Sequence, residues 1–171
     1  TPQAAQAQTG KIRVGLMLPY TGTFAQLGVA IENGVRMAIN EQGGKLGGRE
    51  VEFFQVDDES NPAKGIENAS RLVERDKVVA IVGEISSASC LTIAQVADRT
   101  KTLFINTGGN SDALRGKDCK KYMFHVESQN SMYVKTCGQA LMAQGLVKGK
   151  RWFSLTADYA FGHDLLRVAK G

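Results

Sequence analysis

The chain reads as an α/β protein built on a doubly wound parallel sheet. Three observations carry that expectation. Short apolar runs alternate with amphipathic helical runs from Ile12 to Lys170. Of these runs, Ile12–Leu18 and Val78–Val82 are apolar almost throughout, as buried strands of a parallel sheet are. Two of them, Val78–Val82 and Thr102–Ile105, end in loops of small polar residues: Gly83-Glu84-Ile85-Ser86-Ser87 and Asn106-Thr107-Gly108-Gly109-Asn110. An open parallel sheet meets its ligand at such carboxyl-edge loops, where hydroxyls and backbone N–H groups are exposed. No strong acid, base or metal set accompanies them. The pattern fits holding a small polar molecule, not transforming it.

The elements follow in order. Ile12–Leu18 is a buried strand, and Pro19-Tyr20-Thr21-Gly22-Thr23-Phe24 is the loop after it. Val29, Ile31, Val35, Met37, Ala38 and Ile39 give a helix with a wide apolar face. Gly43-Gly44 and Gly47-Gly48 turn the chain into a second strand, Val51–Val56. Asn61 caps the next helix with Pro62 at its first position, and Ile66, Ala69, Leu72 and Val73 form its inner stripe. Val78–Val82 is the third strand, Ser87 to Asp98 a helix, Leu103–Ile105 the fourth strand, and Tyr122–Val126 a short fifth. Asn130 to Gln144 is helical. Trp152–Thr156 reads as a sixth strand, and a last helix runs to Lys170. The chain stops on Ala169-Lys170-Gly171, just after one strand–helix unit, an expected first part of something longer.

Composition narrows the class. A chain of 171 residues with 43% hydrophobic and 22% charged residues can bury a good core in one domain. No apolar run approaches the roughly 20 residues of a membrane span, so direct membrane insertion is not expected. The net charge is +4, but acids lie among the bases, as in Arg71, Glu74, Arg75, Asp76 and Lys77, which describes a solvated surface and not a nucleic-acid stripe. Residues 1–10 are expected to be a flexible leader, and Ala5-Gln6-Ala7 has the small-x-small form of a signal-peptidase site. Of the cysteines, Cys119 and Cys137 flank a predicted strand and turn. A bridge between them would contribute about 3 kcal/mol in the chain-entropy model. Cys90 is expected to be a small buried residue. His125 stands where the chain leaves the fifth strand, within reach of a ligand or merely structural, and His163 is expected to face solvent. Asp57-Asp58-Glu59 reads as caps and solvated turns in preference to a cation site.

These motifs, taken in register, resemble the periplasmic solute-binding proteins of ABC importers, specifically the branched-chain amino-acid-binding type with the type I periplasmic-binding fold. The resemblance is carried by Pro19-Tyr20-Thr21-Gly22 with Gly28, by Gly43-Gly44-Lys45-Leu46-Gly47-Gly48, and by Asp57-Asp58 to Asn61-Pro62. It continues through Val82-Gly83 with its serine run, Thr107-Gly108-Gly109-Asn110, and Asp158-Tyr159-Ala160-Phe161-Gly162. It implies two α/β lobes with ligand in the cleft: a first lobe at 11–125, then a crossover and the start of a second similar lobe at 126–171. It also implies a periplasmic location, a membrane permease as partner, no cofactor, no metal and no enzymatic step. The ligand's carboxylate would lie against Ser86 and Ser87 and against Gly108, Gly109 and Asn110. Without the resemblance, the same Ser and Asn residues serve equally as helix caps and turn formers.

The resemblance further implies a wall from Tyr20 and Phe24 and a second-lobe contribution from Tyr159 and Phe161. Two departures bear on the ligand. Leu27 stands where branched-chain binders often carry Trp, which leaves room for a bulkier or aromatic guest, and Phe161 stands where the family often has Tyr, which makes the pocket more apolar. The expected ligand is therefore an amino acid or a small, aromatic-compatible carboxylate. The alternatives are a ligand-sensing regulator on the same fold and a nucleotide-dependent α/β enzyme. Against the latter, neither a G-x-G-x-x-G fingerprint nor a phosphate loop is present in the sequence.

Overall fold

The computed structural model describes residues 10–170. The leader expected at 1–10, with its Ala5-Gln6-Ala7 sequence, lies outside the described residues apart from Gly10. The elements are β1 (Ile12–Leu18), α1 (Ala25–Glu41), β2 (Lys45–Leu46), β3 (Arg49–Asp57), α2 (Pro62–Glu74), β4 (Ala80–Gly83), α3 (Ser87–Thr100), β5 (Leu103–Asn106), a 3-10 turn at Asp112–Leu114, β6 (Met123–His125), α4 (Asn130–Ala143) and α5 (Ala160–Lys170). The strands form one sheet in the order β2-β3-β1-β4-β5-β6, all neighbours parallel except the β2–β3 hairpin. This is the expected doubly wound parallel α/β sheet.

Alternation along the strands sorts side chains to two faces. Met17, Ile81, Phe104 and Met123 point to the face covered by α2 and α3, where Leu72, Ile93 and Val96 complete the core. Gly15 makes room for α2, since a Cβ there would lie 2.8 Å from Leu72 Cδ1 and force that side chain to shift. The opposite face carries Val14, Val82, Leu103 and Ile105, and α1 reaches only its β1–β3 end, leaving Val79 54% and Phe124 57% exposed.

The helix boundaries follow their chemistry. Asn61 caps α2, its Oδ1 accepting the Ala63 N–H at 2.9 Å, a contact typically worth about 1 kcal/mol. Ile66, expected in the inner stripe, is instead 42% exposed. Gly65 takes the buried place against α3, where a Cβ would lie in ordinary contact, 3.5 Å from Ile93 Cγ1.

Two further expectations are corrected. Trp152–Thr156 forms no strand. A strand needs a ladder partner; this segment instead lies along α4 and α5, bordering a cavity of about 410 Å³, with Phe153 91% and Leu155 90% exposed. Cys119 and Cys137 are not bridged: both thiols are free and exposed, one in the turn before β6 and the other inside α4. Cys90 is buried, as expected.

Candidate functional site

The strand order reverses at β1. The chain goes from β1 outward to β3, then returns over β1 to β4 and β5. A crevice opens beyond the carboxyl ends of strands at such a switch, and here the loops after β1, β3, β4 and β5 meet.

The loop after β1 is held from two sides. Gly28 lets α1 close on it, since a Cβ there would sit 2.0 Å from the Pro19 carbonyl. Asp57, at the end of β3, accepts from the Tyr20 N–H at 3.0 Å, the Thr21 hydroxyl at 2.7 Å and the Glu59 N–H at 2.9 Å. Burial opposes the charge on Asp57, but these donors outweigh it and hold its carboxyl below the usual range. Tyr20 turns its hydroxyl into α1. Burial, then Glu32, push that phenol far up, although the hydroxyl makes no hydrogen bond of ordinary geometry. Phe24 is half-buried at the start of α1.

The loops after β4 and β5 interlock. Ser87 is fully buried, and its Oγ accepts the Asn110 and Ser111 N–H groups, both at 3.1 Å. Ser86 donates its N–H to Glu84 Oε1 at 2.9 Å. Asn106, also fully buried, organises the glycine turn: its Oδ1 accepts from Gly108 N–H at 3.1 Å, Gly109 N–H at 2.8 Å and the Cys90 thiol at 3.3 Å. Its Nδ2 donates to the Gly109 carbonyl at 2.9 Å. Gly109 is required because a Cβ would come within 2.5 Å of Cys90 Sγ. The Gly108 and Gly109 N–H groups thus already have an acceptor within the loop.

Asn110 is where the later elements attach. Its Nδ2 donates to the Ser128 carbonyl at 2.7 Å, and its own carbonyl accepts the Asn130 N–H at 2.9 Å. Asp164 of α5 accepts from the Asp112 N–H at 2.7 Å, Asn130 Nδ2 at 2.9 Å and Arg167 Nη2 at 2.8 Å. Burial disfavours its charge, yet Arg167 and these donors keep its carboxyl low. Tyr159 and Phe161 are half-buried before and at the start of α5, with ring centroids 6.0 Å apart. Burial raises the Tyr159 phenol, and Glu84 and Cys90 raise it further.

Ser86, Ser87, Gly108, Gly109 and Asn110 are therefore gathered at one edge, with Tyr159 near them and Phe161 beside Tyr159. Among the described residues no hydrogen bond joins Tyr20 or Phe24 to the β4 or β5 loop. His125 accepts from Arg115 Nε at 3.1 Å; burial and then the Arg115 charge lower its pKa, a structural role. His163 is exposed and paired with Asp158 at 2.8 Å. Sequence reasoning missed Asn106 and the opposed acids Asp58 and Glu84, each fully buried. An acid lodged between strand-end Gly83 and apolar Ile85 was the available signal. Among the described residues no group of three or more His, Cys, Asp or Glu is placed to hold a metal ion.

The periplasmic binding protein pattern matches residues 11–171. An amino acid binding protein of Pseudomonas aeruginosa is 31% identical over 101 residues, which are 57% of this chain and 27% of the relative. A solute-binding protein of an ABC transporter from R. palustris, solved in complex with benzoate, superposes with a TM-score of 0.88 at 32% identity over 94% of this chain and 44% of that one. Another, from Rhodopseudomonas palustris BisB5 and in complex with 3,4-dihydroxybenzoic acid, gives 0.85 at 26% identity over 94% of this chain and 43% of the neighbour. The chain thus spans less than half the length of these proteins. The sheet order and helix placement are those of a type I periplasmic-binding-protein lobe, and the chain belongs to the periplasmic binding protein family.

Proposed function

We propose that this chain is the amino-terminal part of an extracytoplasmic solute-binding component of an ABC importer, which captures a small carboxylate and delivers it to a membrane permease. The observation that carries the reading is the interlock of the β4 and β5 loops at the switch edge, where Ser87 holds Asn110 and Ser111 by their N–H groups. A neutral, preorganised edge of this kind suits an anionic group that must be bound and later released. No helix among the described residues is long and apolar enough to cross a membrane, so delivery requires a partner.

In this reading residues 11–125 are a first lobe and 126–171 begin a second, with ligand between them. Gly108, Gly109 and Asn110 line the place of the carboxylate, with their N–H groups already donated to Asn106 and Ser87, Ser86 and Ser87 shape that place from beneath, and Tyr159 and Phe161 supply the apolar wall. Tyr20 and Phe24 hold the neighbouring loop. The role is binding, not catalysis. Aromatic acids are favoured over branched-chain amino acids by Leu27 and Phe161, and by the benzoate held by the 32%-identical neighbour. The amino acid binding relative supports the second choice. Thermal shift and calorimetry on the full-length protein test this, using benzoate, 3,4-dihydroxybenzoate, leucine, isoleucine and valine. At 100 times Kd a ligand should stabilise by about 2.7 kcal/mol. Stabilisation by the aromatic acids and not the amino acids is expected, and no stabilisation by any of them overturns the reading.

A further inference from the structure

We propose that the buried carboxyls of Asp58 and Glu84 hold one proton between them, and that this proton fixes the Glu84–Ser87 turn on which Asn110 and Ser111 hang. The inference rests on the reading of that edge as the ligand site, and makes Glu84 a positioning residue for it.

The geometry is unusual for two acids. Asp58 follows β3 and Glu84 follows β4, and β1 lies between those strands, so the pair reaches across the end of β1 at the switch point. Both residues are 0% exposed. Each has one satisfied oxygen: Asp58 Oδ1 accepts the Ser60 N–H at 3.3 Å, and Glu84 Oε1 accepts the Ser86 N–H at 2.9 Å. The other two, Asp58 Oδ2 and Glu84 Oε2, are buried without a partner, while the two carboxyls stand within hydrogen-bonding reach of each other. Two opposed acceptors in a dry site repel unless one of them carries a hydrogen. A single shared proton satisfies both orphan oxygens at once.

The surroundings favour this. Among the described residues neither acid is in an ion pair. The titratable groups acting on the pair are Asp57 beside it, Cys90 from α3 and Tyr159 from the segment before α5, and none of them is a cation. Ser60 Oγ and Ser89 Oγ are the neutral buried neighbours, also without bonds of ordinary geometry, and the Ser89 hydroxyl favours the charged form of Asp58 without outweighing its burial. Burial, then the Asp58 charge, push Glu84 up to about 8, and burial raises Asp58 too. Above that pH the pair carries two charges with no counter-ion, and admitting water is the available relief. The turn that must open is the one whose Ser87 holds the β5 loop.

The sign of the pH effect differs between stability and binding. A carboxyl raised from 4.5 to about 8 on folding keeps its proton in the folded state while the unfolded chain loses it. Stability therefore falls between those two values and is level above. Affinity belongs to the folded state alone, so it holds up to about pH 8 and then drops, about tenfold per pH unit for one linked proton.

The experiment uses the full-length protein and its Glu84→Gln variant, whose amide donates permanently to Asp58 while its carbonyl still accepts from Ser86. Tm is followed from pH 5 to pH 9.5, and benzoate affinity from pH 7 to pH 9.5. The wild type should lose roughly 5–10 °C by pH 8, then lose affinity above it. Glu84→Gln should be level in both. Asp58→Asn supplies a permanent donor to Glu84 and removes the second charge, leaving only burial to raise Glu84, so if Glu84→Gln does not fold this variant should show a shallower fall in Tm than the wild type. A wild-type Tm independent of pH, or amide variants that keep the wild-type slope, overturns the proposal. So does stabilisation by sodium or calcium that EDTA or dialysis reverses, since a cation would then occupy the place of the proton. Absence of benzoate binding at pH 7 sinks only the aromatic-acid choice, and the Tm comparison still decides the shared proton.

Discussion

β4 and the segment Trp152–Thr156 are both short apolar runs followed by a small-residue turn and a helix, yet only β4 is a strand. Ile81 in β4 is 0% exposed, with β1 on one side and β5 on the other. Phe153 and Leu155 are 91% and 90% exposed and have no neighbouring strand among the described residues. Local propensity is similar in the two; what differs is the presence of partners. A strand is a property of a pair of segments, and an apolar run without one is only an extended chain.

Core truncation should break the difference most sharply. Phe104→Ala, at a fully buried position on the α3 side of β5, is expected to cost about 3–5 kcal/mol in urea unfolding. Leu155→Ala in the same 171-residue chain should change stability by no more than about 0.5 kcal/mol. Equal costs would mean that 152–156 is packed after all. Next in size is Ser87→Ala, which strands two N–H groups of the β5 loop; a loss of about 1–3 kcal/mol is expected, with weaker carboxylate binding by calorimetry. Cys90→Ala should cost less than Ser87→Ala, because Asn106 Oδ1 keeps its two glycine donors.

The smallest effect concerns how the later elements attach. Asp164 ties α5 to Asp112 and Asn130, and its carboxyl is held low, so its contribution is present above the ordinary carboxylate range and lost as pH falls below it. Hydrogen exchange at acid pH should show α5 opening before the β1–β4–β5 sheet, and Asp164→Asn should bring that opening to neutral pH. Simultaneous exchange of α5 and the sheet would show that the two regions are one cooperative unit.

Much of this was legible in the residues. Val-Gly-Leu-Met-Leu reads as a doubly buried strand, Asn61-Pro62 as a helix start, and the Ser and Gly runs after two strands as carboxyl-edge loops. The family resemblance sets Ser87 and Asn110 against one ligand group, and in the fold a 3.1 Å hydrogen bond joins them. Other features were not legible. Asp57-Asp58 looks like a solvated turn in one dimension, and only folding sends Asp57 outward to cap the β1 loop while Asp58 turns inward to meet Glu84. Asn106 looks like a strand end until the glycine turn wraps its side chain. Cys119 and Cys137 sit at a spacing that permits a bridge, but the bridge is not made.

The sequence by itself determined the alternation of strands and helices, the helix starts and the polar loop tips, because periodicity, capping and backbone freedom act within a few residues. Tertiary structure alone decided which apolar runs became strands, which acids were stripped of water, and which polar atoms shape the site from below. Those outcomes depend on neighbours distant in sequence, and on a local dielectric that exists only once the chain has closed around them.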